Sequence, residues 1–475
     1  MSRGWAVLLY FGGLWAWGNL LSWGRIPFER HDWGEVTGPR LAFLRDAVLN
    51  GVWPLHMPGS YALRGITDRF LSVPDTLMSP QALLLGILEP GLFVVANTLL
   101  LYTLGFAGLW LFRRWYGLSP FAFGALYFVW ALNGHVVDHL MVGHANWAAI
   151  LLLPWVFLPL LQMAHGRWGW GWTLGLSSAL TLVFLQGAFH LYATSLIFVV
   201  LLAITQPKLR RAALMSLTFA ILMSMVRIAP IALVAGSFDT EFLGGFTTFG
   251  QLLASFVDFR LALPDLAYVQ GPGARLGWWE VDHYVGVAGV ILLTIGVAWL
   301  IRAPRETDRW TATFRLPVLG MILLSLSQVF EVINRLGIPI LSSQRVATRH
   351  FIVPMMLLAL LGSIDLSRRL RAPAPRAAIH LAAVGLLAFL ANDVWQHANA
   401  WRVSRMPVLF QAFDVDLSLA IVANHPDPPY TAALILGLSV SLVSLGFLVG
   451  LTLRERFRER RARSKGSGRL GVRST

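Results

Sequence analysis

The sequence predicts an all-α protein, a polytopic transmembrane helical bundle of about twelve spans with amphipathic interfacial helices in its long outer loops. Three observations predict it. Of 475 residues, 56% are apolar and 13% charged, roughly half the charged share of a soluble domain, and mean hydropathy is +0.63. Apolar runs of near-bilayer length recur along the chain. Basic residues gather in alternate short connections, as membrane sidedness requires. The absence of cysteine excludes a disulfide framework, a thiolate zinc site and a cysteine nucleophile.

Taken in order, Met1 to Gly24 reads as a retained first span, because Arg3 precedes a Trp-rich apolar run and no small-residue cleavage pattern follows. The first outer loop, 25–80, places His31, Asp32 and Glu35 just beyond that span. Pro39 then opens a short amphipathic helix, with Leu41, Leu44, Val48 and Leu49 opposite Arg40, Arg45 and Asp46, which Gly51 ends. Further spans are expected near 91–112, 121–133, 148–164, 171–186, 190–206, 212–235, 284–301, 316–329, 351–365, 377–393 and 431–452. Two more long outer loops are 236–283 and 394–430.

The net charge of +14 follows this topology. With a cytoplasmic N-terminus, the inner connections hold Arg113 and Arg114, Arg167, Lys208 to Arg211, Arg302 to Arg315 and Arg368 to Arg376. The scatter of these residues over short loops argues against nucleic acid as a partner. Residues 1–452 form a single transmembrane domain, and 453–475 a basic cytoplasmic tail suited to anionic lipid headgroups. Acidic residues and histidines concentrate in the outer segments, so function is expected on the outer face.

A carboxylate at the membrane surface, Asp32 or Glu35, can serve as base for a lipid-borne substrate; the alternative is a solvated loop acid or helix cap. The order of Asp32 after the first span, a short amphipathic helix, NGVWPLHMPGSYALRG and MSPQALLLGIL resembles the first outer loop of the GT-C superfamily of integral membrane glycosyltransferases. Within that superfamily the loop looks like those of YfhO-like and related bacterial polyprenyl-phosphate-sugar-dependent enzymes. NGHVVDHLMVGHANWAAILLLPW, GWWEVDHYVGVAG and SSQRVATRHFIVP are similar to later elements of that family.

The resemblance implies a transferase of the bacterial inner membrane, inverting, that moves a sugar from a lipid-linked polyprenyl-phosphate donor to a glycan, lipid or protein acceptor on the outer face. It puts Asp32 in the position of the catalytic first-loop carboxylate. The chain departs from the family pattern in reading HDWGE, without adjacent acids, which leaves Glu35 a competitor and metal dependence open.

Inversion needs a base on the acceptor hydroxyl and stabilisation of the departing phosphate, for which arginine is suited. Arg345 and Arg349, four residues apart, would share one helical face at headgroup depth, unless they are ordinary interfacial arginines. Arg227, inside a span before Pro230, calls for a partner, either a buried ion pair or the donor phosphate. Glu280, Asp282, His283 and Tyr284 beside Trp278 and Trp279 could line a sugar site, or the aromatics could belong to the interfacial belt. In HVVDH, His135 and His139 fall on one helical face with Asp138 and His144 near. The set reads as substrate contacts, as structure, or as a metal site for zinc or manganese. The sequence establishes no cofactor and leaves open a divalent metal, magnesium or manganese. The rival functions are a secondary transporter or flippase for lipid-linked sugars, and a non-catalytic scaffold. No carboxylate sits mid-span, as an ion-coupled carrier would need, and no P-loop or dinucleotide fingerprint occurs.

Overall fold

Prolines, caps and left-handed glycines cut the apolar chain into helices. The computed structural model describes residues 2–58, 66–238, 241–260, 268–271, 274–302, 309–338, 341, 343–371 and 377–467. Helix α1, Ser2–Leu20, gives way to a turn with positive φ at Ser22, Trp23 and Gly24. Helix α2, Gly38–Asn50, has Pro39 in its first turn and ends at Gly51 with a left-handed φ of 63°. Helix α3, Pro90–Tyr116, follows the same grammar, from Pro90 to Gly117. Ser119 caps α4, Pro120–Leu132, its Oγ accepting from the Ala122 amide at 3.3 Å. Asn133 interrupts the run and caps α5, Gly134–Val142, accepting from the Val136 amide at 3.1 Å.

The chain continues through α6, Leu153–Ala164, α7, Trp170–Leu185, α8, Phe189–Thr205, α9, Arg210–Met223, and α10, Met225–Ala232. A hairpin follows, with β1, Tyr268–Gly271, antiparallel to β2, Ala274–Gly277, and Tyr268 opposite Gly277. These are the only strands among the described residues, so the class is all-α as expected. Helices α11, Gly286–Arg302, α12, Arg315–Leu324, α13, Ile352–Leu370, α14, Ala377–Trp401, and α15, Pro428–Ser467, complete the chain.

Among the described residues, six segments are long and apolar enough to cross a membrane: 90–116, 120–142, 145–164, 278–302, 347–370 and 428–461. The α9–α10 pair, bent by 66° at Ser224, makes a seventh if taken as one broken span. This count falls short of the twelve expected spans, and length is one reason. At 16 and 17 residues, α7 and α8 rise only about 24–26 Å against a hydrocarbon thickness of ~30 Å. The expected limit of the membrane domain at 452 falls inside α15, which runs on unbroken to Ser467.

Packing sorts the helices into core and periphery. The span at 347–370 is 89% buried within the protein, that at 428–461 only 22%, so α15 leaves most of its apolar surface for lipid. Helices α11 and α13 meet through glycines: a Cβ on Gly296 would lie 2.1 Å from the Leu358 carbonyl oxygen. Trp278 and Trp279, candidates for an interfacial belt, are instead 2% and 7% exposed. The Trp278 indole donates to Asp282 Oδ2 at 2.9 Å, and the Trp279 ring packs edge-on against His31 at 4.8 Å. Helix α2 keeps the predicted bounds, but Arg40, expected on its polar face, is 9% exposed and paired with Asp75.

Candidate active site

The site begins where the chain turns from α1 into α2. Between them Trp33–Thr37 forms one π-helical turn, and the residue before Asp32, His31, holds a φ of 44°. Such turns and left-handed non-glycine residues gather at functional sites because surrounding contacts must hold them. Those contacts all reach the end of α5. The Trp33 indole donates to the Met141 carbonyl at 2.8 Å and the Thr37 hydroxyl to that of Gly143 at 2.6 Å, while His31 Nδ1 lies 3.0 Å from the Val142 carbonyl oxygen. Gly143, φ 110°, permits the approach, since a Cβ there would sit 2.2 Å from the Trp33 nitrogen. The clamp delivers Asp32 to His144, Oδ2 to Nε2, at 2.5 Å. Burial pushes the His31 imidazole below its ordinary value; neighbouring Asp32 opposes this and His144 adds to it.

Asp32, Glu35 and His144 face a cavity of about 1000 Å³. Arg345 and Arg349 stand on the wall of the same cavity, with Trp147, Asn146 and the Arg40–Asp75 pair. The remainder is largely apolar, with Leu41, Leu44, Phe93, Val94, Leu196, Ile221, Ile228 and Ile231. Burial would raise the Asp75 carboxyl, but the Arg40 guanidinium, 2.9 Å from Oδ2, overrides it and holds the group below its ordinary value.

The two arginines reach the cavity from different backbone. Val346 between them is extended and Gly244 pairs with it, so the chain becomes helical only at Ala347. They do not share a helical face, as their spacing had predicted. Backbone groups that would otherwise serve a helix are spent on the segment near 243–247: the Arg345 carbonyl accepts from Leu243 N at 2.9 Å and Ala347 N donates to Gly244 O at 2.8 Å. Arg345 Nε donates to the Glu241 carbonyl at 3.2 Å. Arg349 grips Glu280 with a two-pronged fork, Nε to Oε2 at 2.7 Å and Nη2 to Oε1, and lies over the Trp147 ring at 5.1 Å.

Behind this wall lies a buried polar layer. Glu280 Oε2 is 3.4 Å from His139 Nε2, and the His135 ring stacks on His283 at 4.4 Å. Asp282 accepts from Trp278, from the Tyr284 amide at 2.7 Å and from His397 Nε2 at 3.0 Å, with Asp138 Oδ1 4.0 Å from the same His397 nitrogen. The Tyr284 hydroxyl donates to Asp393 at 2.7 Å.

Of the residues singled out in the sequence, Asp32, Glu35, His144, Arg345 and Arg349 therefore meet at one cavity. Glu280, Asp282, His283, Tyr284, His135, Asp138 and His139 lie behind its wall, buried, and not among its lining residues. Arg227 also lies off the wall: fully buried, it donates to the carbonyls of Leu71 at 3.2 Å and Val73 at 2.6 Å, partners neither expected alternative named. Beside or behind the cavity wall, two donor sets among the described residues are grouped closely enough for a cation, His139 with His144 and Glu280, and Asp138 with Asp282 and His397. In the first, Glu280 already serves Arg349 and His144 serves Asp32; in the second, Asp282 already accepts three hydrogen bonds. Among the polar lining residues that the sequence did not single out are Asp75, Asn97, Asn146, Gln186 and His190; for Asn97, Gln186 and His190 the signal was a polar side chain in an otherwise apolar run.

No family model matches the chain, and no curated protein does. Among solved structures it is similar to the cryo-EM structure of the arabinofuranosyltransferase AftD from mycobacteria, with a TM-score of 0.48 and 17% identity, over 85% of this chain. The match spans 27% of the AftD chain, so the present chain corresponds to about a quarter of that protein's length.

Proposed function

We propose that the chain is a membrane glycosyltransferase that takes a sugar from a polyprenyl-phosphate donor and passes it, with inversion, to an acceptor on the outer face. One observation carries this reading: a hydrogen-bonded carboxylate, Asp32, and two guanidinium groups, Arg345 and Arg349, face a single largely apolar cavity of about 1000 Å³. A lipid-linked sugar phosphate asks for that combination, with apolar wall for the first isoprene units, positive charge for the phosphate and a base for the incoming hydroxyl.

In the proposed reaction Asp32 accepts the acceptor's hydroxyl proton as that oxygen attacks the anomeric carbon. The bond from that carbon to the phosphate oxygen breaks on the opposite face, and the electron pair leaves with polyprenyl phosphate. His144 Nε2–H fixes Asp32 Oδ2, which directs the other carboxylate oxygen to the acceptor. Arg345 and Arg349, the latter shared with Glu280, stabilise the departing phosphate, and Arg349 also shapes the cavity wall. Glu35, exposed on the same π turn, is placed to orient the acceptor.

The test is sugar release from a panel of radiolabelled polyprenyl-phosphate sugars by the purified protein with a membrane extract as acceptor. Turnover that Asp32→Asn and Arg345→Ala both lose, while remaining folded, supports the reading. Donor binding or movement across liposomes without bond cleavage sinks it in favour of a flippase.

A further inference from the structure

A third group of metal-ligating side chains lies away from the cavity. His56 and Asp68 come from the first long outer segment, His425 from the segment that leads into α15. One ligand atom from each lies within 4.8 Å of the other two. The two imidazole rings stand 3.9 Å apart, and His425 Nε2 is 2.7 Å from Asp68 Oδ2. We propose that His56, His425 and Asp68 bind a divalent transition metal of the zinc type, which fastens the first outer segment to the last.

The donor set fits that ion. Two imidazoles and a carboxylate, with water as fourth ligand, are borderline donors suited to tetrahedral zinc. Zinc at about 2.0–2.2 Å from each donor holds the ligand atoms roughly 3.3–3.6 Å apart, so His425 Nε2 and Asp68 Oδ2 need only part slightly from 2.7 Å, and no pair, all being within 4.8 Å, needs to close by more than about 1.5 Å. Magnesium and calcium, which seek oxygen ligands, are disfavoured by the two nitrogens.

His56 supplies the second observation. It is 1% exposed, and its Nδ1 is buried without a hydrogen-bond partner. Its other nitrogen, Nε2, is 3.5 Å from Asp427 Oδ2. Metal-bound histidines use one nitrogen for the ion and offer the other to a carboxylate, which sets the tautomer. Asp427 is suited to that outer role because its own charge is balanced by the Arg69 fork, at 2.6 and 3.0 Å. An unpartnered buried ring nitrogen is costly, and metal ligation would recover that cost.

The backbone around the cluster is already joined across the two segments. Ala423 N donates to the His56 carbonyl at 2.9 Å, and the His56 amide to Asn424 Oδ1 at 3.0 Å. Further along the same segments, Arg30 donates to the Phe410 carbonyl at 3.0 Å and Phe413 N to the Glu29 carbonyl at 2.7 Å, flanking Asp32. A metal at His56 would therefore brace the far end of a seam whose near end holds the site carboxylate. The inference stands without the transferase reading, since it concerns metal uptake alone.

The test uses the full chain in detergent, stripped with chelator and titrated with zinc chloride, beside His425→Ala and Asp68→Asn. Both residues are more than a third exposed at the side chain, 49% and 39%, so the substitutions spare the core. The expected result is one zinc per chain after dialysis, with micromolar affinity or tighter and a raised unfolding temperature. Either variant should lose at least tenfold in affinity, and neither magnesium nor calcium should reproduce the shift. Unfolding temperatures without metal close to that of the native chain identify the variants as folded. Zinc uptake no greater than a detergent blank overturns the proposal. So does uptake that both variants retain, which would move the metal to the histidines behind the cavity.

Discussion

At the scale of single residues, the decisive distinction is between groups that face the cavity and groups that face one another. Asp32→Asn keeps shape and the contact to His144 but removes the base, so transfer should fall about 10²- to 10⁴-fold with the unfolding temperature nearly unchanged; single-turnover rates measure it. Arg349→Ala should behave otherwise. Glu280 is 6% exposed, and a carboxylate left unpaired at that depth costs about 3–5 kcal/mol, so the variant should unfold early whatever its activity. Adding Glu280→Gln should restore part of that loss, which a thermal melt would reveal. His31 gives a pH signature. Its imidazole is held below its ordinary value by burial, so as pH falls the unfolded chain takes up the proton first and stability drops below about pH 6.5. His31→Asn, a residue tolerant of positive φ, should flatten the decline between pH 6.5 and 5. The sequence exposed the polar residues but not their pairing. Glu280 and Arg349 are 69 positions apart, and nothing in either local pattern shows that one neutralises the other.

At the scale of elements, the site depends on one turn meeting one helix end. Gly143→Ala would put a methyl carbon 2.2 Å from the Trp33 nitrogen at a φ of 110°, so the π turn must retreat from α5. The expected outcome is a large loss of transfer and of the Asp32–His144 contact, with destabilisation of a few kcal/mol. Gly51→Ala provides the comparison. It carries a positive φ of 63° but open space around its Cβ, and should cost only about 1 kcal/mol with activity kept. Measuring both, by melting and by turnover, separates backbone strain from misplacement of the carboxylate. Helix α2 was legible because proline, helical spacing and glycine agree on its bounds. The π turn was not, since it is imposed by Trp33, Thr37 and His31 binding the end of a helix more than 100 positions away. The arginine pair failed for a related reason: spacing of four implies one face only where the backbone is helical, and the segment at Gly244 draws Val346 into extended pairing.

At the scale of the molecule, composition established a membrane protein, while the number and direction of crossings depend on how helices of unequal length are arranged. Helix α15 bears on the proposed direction. Its first turn follows Asp427, which Arg69 binds in the segment that also holds Asp32, so the start of α15 and the cavity share a side. The apolar stretch 428–461 is 34 residues long, a rise of about 50 Å, which carries Arg454, Arg456, Arg458, Arg460 and Arg461 across the bilayer. Positive residues favour the cytoplasm, so on this topology the proposed outward opening of the cavity follows. The chain has no cysteine, which makes the consequence directly measurable. Trp53, 79% exposed beside the first-segment seam, and Glu459, exposed near the far end of α15, each become the sole thiol on substitution. In intact cells or right-side-out vesicles an impermeant maleimide should modify Trp53→Cys at once and Glu459→Cys only after the membrane is opened. The reverse pattern would turn the active site to the cytoplasm and require a donor on that leaflet. Modification of both without permeabilisation would mean that α15 does not cross, leaving its apolar surface to a partner instead of lipid.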